Sequence, residues 1–106
     1  MDEDFHPVAP VGSIPDGTGR AFEVDGVIVA VFRIGDSYHA IDDACPHAGA
    51  PLCDGAFEDG VVVCPWHAWR FDVRDGSWID NPTSNLGVPC HEVKIDDGQV
   101  CVKLNE

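Results

Sequence analysis

Apolar residues fall in short runs separated by turn dipeptides, and this pattern predicts β-strands. The continuous β-branched run at residues 27–32 is typical of a buried strand, and Asp25-Gly26 and Gly35-Asp36 bound it as turn signals. Further strands are predicted at residues 38–41, 61–63, 69–71 and 100–102. Residues 91–95 alternate polar and apolar side chains, which predicts a half-solvated strand.

Helices are not predicted, because no apolar period of 3.6 residues is sustained and 11 Gly and 8 Pro interrupt the chain. The 106 residues are enough for one domain with a small core. The predicted fold class is therefore all-β, with small antiparallel sheets arranged as a sandwich or barrel. Between about residues 42 and 82 the loops become dense in Cys, His, Pro and Trp, which indicates a functional site on a β-scaffold.

The net charge of −13 excludes the function classes that need a basic surface. We expect no nucleic-acid partner and no attachment to an anionic membrane. The acidity serves either solubility alone or attraction to a basic partner, and the sequence leaves both open. No stretch has the length of a membrane span, and the acidic start lacks the features of a signal peptide, so a cytoplasmic location is expected. Five cysteines fit reduced thiols or metal ligands better than a disulfide framework.

Two short segments carry the candidate chemistry. They are Cys45-Pro46-His47 and Cys64-Pro65-Trp66-His67, with sixteen residues between them. Each has Cys first and His second, so two loops of the same polarity would place both thiolates deep and both imidazoles outward. A proline after each Cys stiffens the loop. This separation of sulfur and nitrogen ligands suits a cluster with two unlike irons.

The two arms and their flanks, residues 45–52 and 64–72, resemble the signature of the Rieske [2Fe–2S] family, and the similarity extends over about residues 38–82. The resemblance implies a single Rieske domain over residues 1–106. In it, a smaller cluster-binding subdomain at about residues 42–82 is inserted in a base of antiparallel sheets. It also implies one [2Fe–2S] cluster per chain, with Cys45 and Cys64 on the inner iron and His47 and His67 on the outer one.

A zinc site with two Cys and two His is the alternative for these four ligands, although zinc sites usually pair Cys with Cys and His with His along the chain. Among the remaining candidates, Cys53 is interpreted as a buried non-ligand. Cys90 and Cys101 are interpreted as core thiols with a disulfide between them left open, and His6, His39 and His91 as surface residues. We expect Trp66 and Trp69 to shield the cluster from water, and Trp78 to lie in the core or at its rim.

The subclass follows from what the respiratory Rieske proteins have and this chain lacks. Their extra disulfide cysteines correspond to Ala50 and Trp66, and their Ser and Tyr hydroxyls to Trp69 and Phe71. Hydrogen bonds to cluster sulfur stabilise the reduced state, so their loss predicts a reduction potential toward the low end of the Rieske range, roughly −150 mV.

The remaining resemblance is to the ferredoxin components of aromatic-ring dioxygenases. It implies an electron-transfer protein, rather than an enzyme by itself, with a flavin-dependent reductase and a terminal oxygenase as partners. The alternative is the small subunit of an NAD(P)H-dependent nitrite reductase, whose partner would be the large subunit. A free carrier and a permanent subunit both remain open.

Overall fold

The computed structural model describes residues 5–43, 51–66, 69–80 and 87–104. This part of the chain contains β-strands, one 3-10 turn at Leu52–Asp54 and no α-helix. The strands are β1 (His6–Pro10), β2 (Gly19–Val24), β3 (Val27–Ile34), β4 (Ser37–Asp42), β5 (Phe57–Glu58), β6 (Val61–Val63), β7 (Arg70–Asp72), β8 (Cys90–Asp96) and β9 (Gln99–Lys103). The all-β prediction is confirmed. Among the described residues, no helix is long and apolar enough to cross a membrane.

The strands form two antiparallel sheets. The larger has six strands in the order β1-β9-β8-β4-β3-β2, and the smaller has three in the order β5-β6-β7. The small sheet lies within the stretch that the sequence predicts as a cluster-binding subdomain, residues 42–82. The limits of that subdomain stay a prediction.

Tight turns set the register of the hairpins. Asp25, Asp59 and Asp97 have φ values of 53°, 56° and 54°, and each is followed by a glycine that also has positive φ. Two successive residues with positive φ match the right-handed twist of the flanking strands, which is why Asp-Gly is favoured there. These three turns join β2 to β3, β5 to β6 and β8 to β9.

Both faces of the large sheet are buried, because successive side chains of β3 enter different cores. Ala30 and Phe32 lie in one core, and Val29 and Val31 lie in the other. The first core also contains residues of the small sheet and of the segments beside it, namely Leu52, Val62, Cys64, Phe71, Val73 and Val88. We call it the site core, since it joins the two sheets around the one candidate ligand that the structure describes.

The predicted alternation at residues 91–95 is wrong in detail. The His91 side chain is only 3% exposed, whereas Ile95 is 49% exposed. His91 pairs with Ala40 in the middle of the sheet, where the Asp42 carboxylate lies 2.7 Å from its Nε2 atom. Ile95 lies near the end of β8, beside the turn to β9, where less of the structure covers it. Position along the strand therefore decides burial here, rather than polarity.

Candidate metal centre

Cys64 is the one predicted ligand among the described residues. It follows β6 directly and is 1% exposed within the site core. Its backbone N–H donates to the carbonyl oxygen of Trp69 at 2.7 Å, so this hydrogen bond closes the loop that carries the second arm. Cys45, His47 and His67 lie outside the described residues.

Asp43 holds the residues that flank the first arm. Its carbonyl oxygen accepts the N–H of Leu52 at 2.6 Å, and its carboxylate oxygen accepts the N–H of Cys53 at 2.9 Å. Its own N–H donates to the carbonyl of Ile28 in β3 at 3.1 Å. Asp43 is 7% exposed, the one buried acidic residue in the described part of the chain. Asp43 is thus held together with Leu52 and Cys53, which follow the first arm in the sequence, and is fixed to the large sheet.

The flanks of the two arms meet at Gly55. A Cβ atom added there would overlap the carbonyl oxygen of Val63, the residue just before Cys64. The N–H of Val63 also donates to the carbonyl of Ala56 at 2.8 Å. Glycine therefore allows the chain after the 3-10 turn to lie directly against β6, the strand that leads to Cys64.

Aromatic side chains pack beside the same core. The rings of Trp69 and Trp78 are stacked, with centroids 4.0 Å apart and planes within 7°, and the Trp69 ring lies 6.4 Å from that of Phe71. Both tryptophans are partly buried, as predicted for Trp78. Trp66 is 60% exposed. It lies in the turn after Cys64, where its ring faces solvent rather than the core. The shielding of the cluster by Trp66 and Trp69 stays a prediction.

Cys53 has the environment of an inert thiol. Burial and the neighbouring carboxylates of Asp43 and Asp54 raise its pKa to about 12. Metals bind the thiolate and displace the thiol proton, so a raised pKa makes this thiol a less favourable ligand. This environment agrees with the interpretation of Cys53 as a non-ligand.

The chain matches the Rieske [2Fe–2S] domain family over residues 4–92, which is most of its length. It belongs to the Rieske [2Fe–2S] family. It is 35% identical over 101 residues to the anthranilate 1,2-dioxygenase ferredoxin subunit of Burkholderia cepacia, with 95% of this chain and 93% of that protein covered.

Solved Rieske structures of two kinds resemble the fold. The ferredoxin of carbazole 1,9a-dioxygenase from Nocardioides aromaticivorans IC177 superposes with a TM-score of 0.85 at 37% identity, covering 95% of this chain and 98% of that one. A structure described as a putative NADH-dependent nitrite reductase small subunit, from Mycobacterium tuberculosis, gives a TM-score of 0.82 at 27% identity, with 92% of each chain covered.

A Rieske domain holds one [2Fe–2S] cluster, so one such cluster per chain is the cofactor of this protein. The chemistry of the described residues fits it. Cys64 offers a buried sulfur in an apolar wall, and the buried indole nitrogen of Trp78 has no hydrogen-bond partner among the described residues. No group of three metal-binding side chains occurs in the described ranges, where Cys64 is the single predicted ligand.

Two histidine contacts were missed by the sequence analysis, which placed both histidines on the surface. His91 is buried against Asp42, as described above. His39 is partly buried beside Asp72 and Arg74, and burial and the Arg74 charge lower its pKa. Arg74 donates to both carboxylate oxygens of Asp72, at 2.8 and 2.9 Å, and these bonds lower the pKa of Asp72. The interpretation of His39 and His91 as ordinary surface residues is therefore wrong.

The remaining described cysteines, Cys90 and Cys101, lie in β8 and β9. Cys101 is 6% exposed, and Cys90 packs partly buried against the site core, as predicted for core thiols. Cys90 pairs with Ile41, and Cys101 pairs with Lys94 further along β8. Because these positions are four residues apart along β8, roughly 13 Å at the rise of a strand, the two sulfurs are not placed for a disulfide.

Proposed function

We propose that this chain is a Rieske ferredoxin that carries one electron at a time from a flavin-dependent reductase to a terminal oxygenase. The observation that carries the proposal is the match over nearly the whole length, at 35–37% identity, to ferredoxins of two aromatic-ring dioxygenase systems. The bound cluster supplies a centre that accepts and releases a single electron. The protein is then an electron-transfer component of an oxidoreductase system rather than an enzyme by itself.

We assign the ligands residue by residue. Cys45 and Cys64 bind the inner iron, and His47 and His67 bind the outer iron. The burial of Cys64 supports an inner position for the sulfur ligands. The contacts of Leu52 support a shared site, because this residue follows the first arm, donates its N–H to Asp43 and lies with Cys64 in the site core.

The partner is expected to dock over the histidine arms. Trp66 directly precedes His67 and is 60% exposed, and exposed aromatic residues are enriched at protein–protein interfaces. A net charge of −13 favours a partner with a basic docking face, because long-range attraction raises the rate of encounter. Neither nucleic acid nor a membrane is part of this function, and the site of action is the cytoplasm.

The nitrite reductase small subunit is the second candidate, because a structure so described shares the fold over 92% of the chain. In that case the chain would be held permanently by a large subunit. The higher identity to the dioxygenase ferredoxins favours the carrier.

The test combines the purified holoprotein with a flavin reductase and a dioxygenase terminal oxygenase. It measures the rate at which product forms while NADH is consumed. The expected result is turnover that requires the chain and slows as salt rises from about 20 to 500 mM, since the Debye length shrinks several-fold over that range. Stable co-elution with a nitrite reductase large subunit, without turnover in the oxygenase system, would overturn the carrier. Colourless protein with one zinc, instead of two irons and two sulfides, would overturn the cluster assignment.

A further inference from the structure

The indole nitrogen of Trp78 is buried without a hydrogen-bond partner. It is the one buried side-chain nitrogen or oxygen in the described ranges for which this holds. A buried donor left unpaired is unfavourable, and native proteins pair nearly all such groups. Trp78 thus calls for an acceptor that the described residues around it do not supply.

The position of Trp78 points to the cofactor as the source of that acceptor. Trp78 forms a β-bridge with Phe71, and directly opposed residues of an antiparallel pair project to the same face. Phe71 and Cys64 both lie in the site core, and Trp78 packs against it. Its ring is stacked on Trp69, whose carbonyl oxygen accepts the N–H of Cys64.

The packing around Trp78 leaves the ring little freedom to turn toward solvent. Phe71, which is fully buried, pairs with Trp78, and the stack with Trp69 fixes the plane of the indole. The N–H of Ile79 donates to the carbonyl of Arg70 at 2.8 Å, and that of Asp72 donates to Ser77 at 2.9 Å, so backbone bonds hold the chain on both sides of Trp78. A donor held in this way is preorganised for a nearby acceptor.

We propose that the Trp78 indole N–H donates a hydrogen bond to a sulfur atom of the cluster or of its cysteine ligands, and so raises the reduction potential. Sulfur carries more negative charge in the reduced state, so a donor stabilises that state more than the oxidised one. This inference rests on the proposed ligand set, since Cys64 is the link between Trp78 and the cluster. Trp78 then supplies part of the stabilisation that hydroxyl groups at Trp69 and Phe71 would have given.

The test compares two replacements of Trp78 in the purified holoprotein. Trp78→Phe removes the N–H and some ring volume. Replacement by 3-benzothienylalanine keeps the shape and the stack but substitutes sulfur for the N–H. Both variants should have a lower reduction potential than wild type, by a several-fold shift of the one-electron equilibrium, where tenfold corresponds to about 59 mV. In both variants, the Fe–S vibrations in the resonance Raman spectrum should shift less than those of wild type when H₂O is replaced by D₂O.

A lower potential in Trp78→Phe alone, with the isosteric variant equal to wild type, would assign the effect to packing and overturn the hydrogen bond. Unchanged potentials in both variants would overturn it as well. These measurements need the bound cluster but no partner protein. Failure to deliver electrons to an oxygenase would contradict the proposed function and leave this result standing.

Discussion

The backbone at Gly55 lies so close to the carbonyl oxygen of Val63 that no side chain fits between them. Gly55 ends the 3-10 turn that follows the first arm, and Val63 immediately precedes Cys64 in the second. The φ of Gly55 is −81°, so glycine is needed here for space and not for an unusual backbone conformation. The contact brings the segment that follows the 3-10 turn against the residue before Cys64.

We predict that Gly55→Ala lowers the free energy of unfolding by about 1–3 kcal/mol, the usual cost of overpacking a region that cannot relax. It should also speed the loss of iron to a chelator, because the arms must move apart. Gly26→Ala is the matched control, since a methyl group there meets nothing within 4 Å and only the positive φ of 86° opposes it. Thermal unfolding and iron release report the two effects. Equal iron release from both variants would show that the contact does not hold the arms.

The sequence predicts the interior of the large sheet better than its edges. The apolar run of β3 and the Gly35-Asp36 turn signal identify the hairpin of β3 and β4, because buried strands are continuously apolar and such turns have a local signature. The edge strands β1 and β2 were not predicted. The sequence of β1 contains Pro7 and Pro10, which edge strands tolerate, and exposed positions interrupt the apolar pattern of β2.

The sequence likewise predicts only part of the candidate site. The Cys and His arms are local motifs, so all four proposed ligands could be named from the chain alone. The contact between His91 and Asp42 joins residues 49 positions apart and exists because β4 pairs with β8. The hydrogen bonds of Asp43 and the close approach at Gly55 likewise depend on tertiary packing, which no local pattern reports.

Replacement of the cysteines and histidines should separate ligands from bystanders. We predict that Cys53→Ser retains the Rieske absorption and EPR spectra, because the four proposed ligands lie in the two arms and the raised pKa of the Cys53 thiol, about 12, disfavours the thiolate that a metal would bind. His47→Ala and His67→Ala should lose or grossly alter those spectra. Iron and sulfide analysis of each purified variant accompanies the spectra. Loss of the cluster in Cys53→Ser together with a normal spectrum in His67→Ala would show that the ligand set is wrong.

His39 should make stability depend on pH below neutrality. Burial and the Arg74 charge lower its pKa in the folded protein, so the unfolded chain binds the proton more readily. Stability is therefore expected to fall as the pH drops below about 6.5, the ordinary pKa of histidine. Between pH 7 and 5.5 the apparent melting temperature of His39→Gln should decline less than that of wild type.

Arg74→Gln is the companion variant for His39, because it removes the positive charge that opposes protonation. Between pH 7 and 5.5 the melting temperature of Arg74→Gln should decline less than that of wild type and more than that of His39→Gln. Asp72, whose pKa Arg74 lowers, stays ionised in wild type over this range and does not add to the slope. If the melting temperature of His39→Gln declined with pH as steeply as that of wild type, the pH dependence would belong to other groups.

Phe71 is the position where a hydroxyl group should raise the reduction potential. Its ring is fully buried in the site core with Cys64, and wild type has no hydroxyl there. We predict a low wild-type potential, roughly −150 mV, and a higher one in Phe71→Tyr as measured by redox titration, because a hydrogen bond to sulfur stabilises the reduced cluster. Phe22→Tyr adds the same hydroxyl beside the core on the opposite face of the large sheet and should leave the potential unchanged. If Phe71→Tyr had a lower melting temperature but an unchanged potential, the hydroxyl would overpack the core and not reach sulfur. A clearly positive wild-type potential would contradict the low-potential subclass.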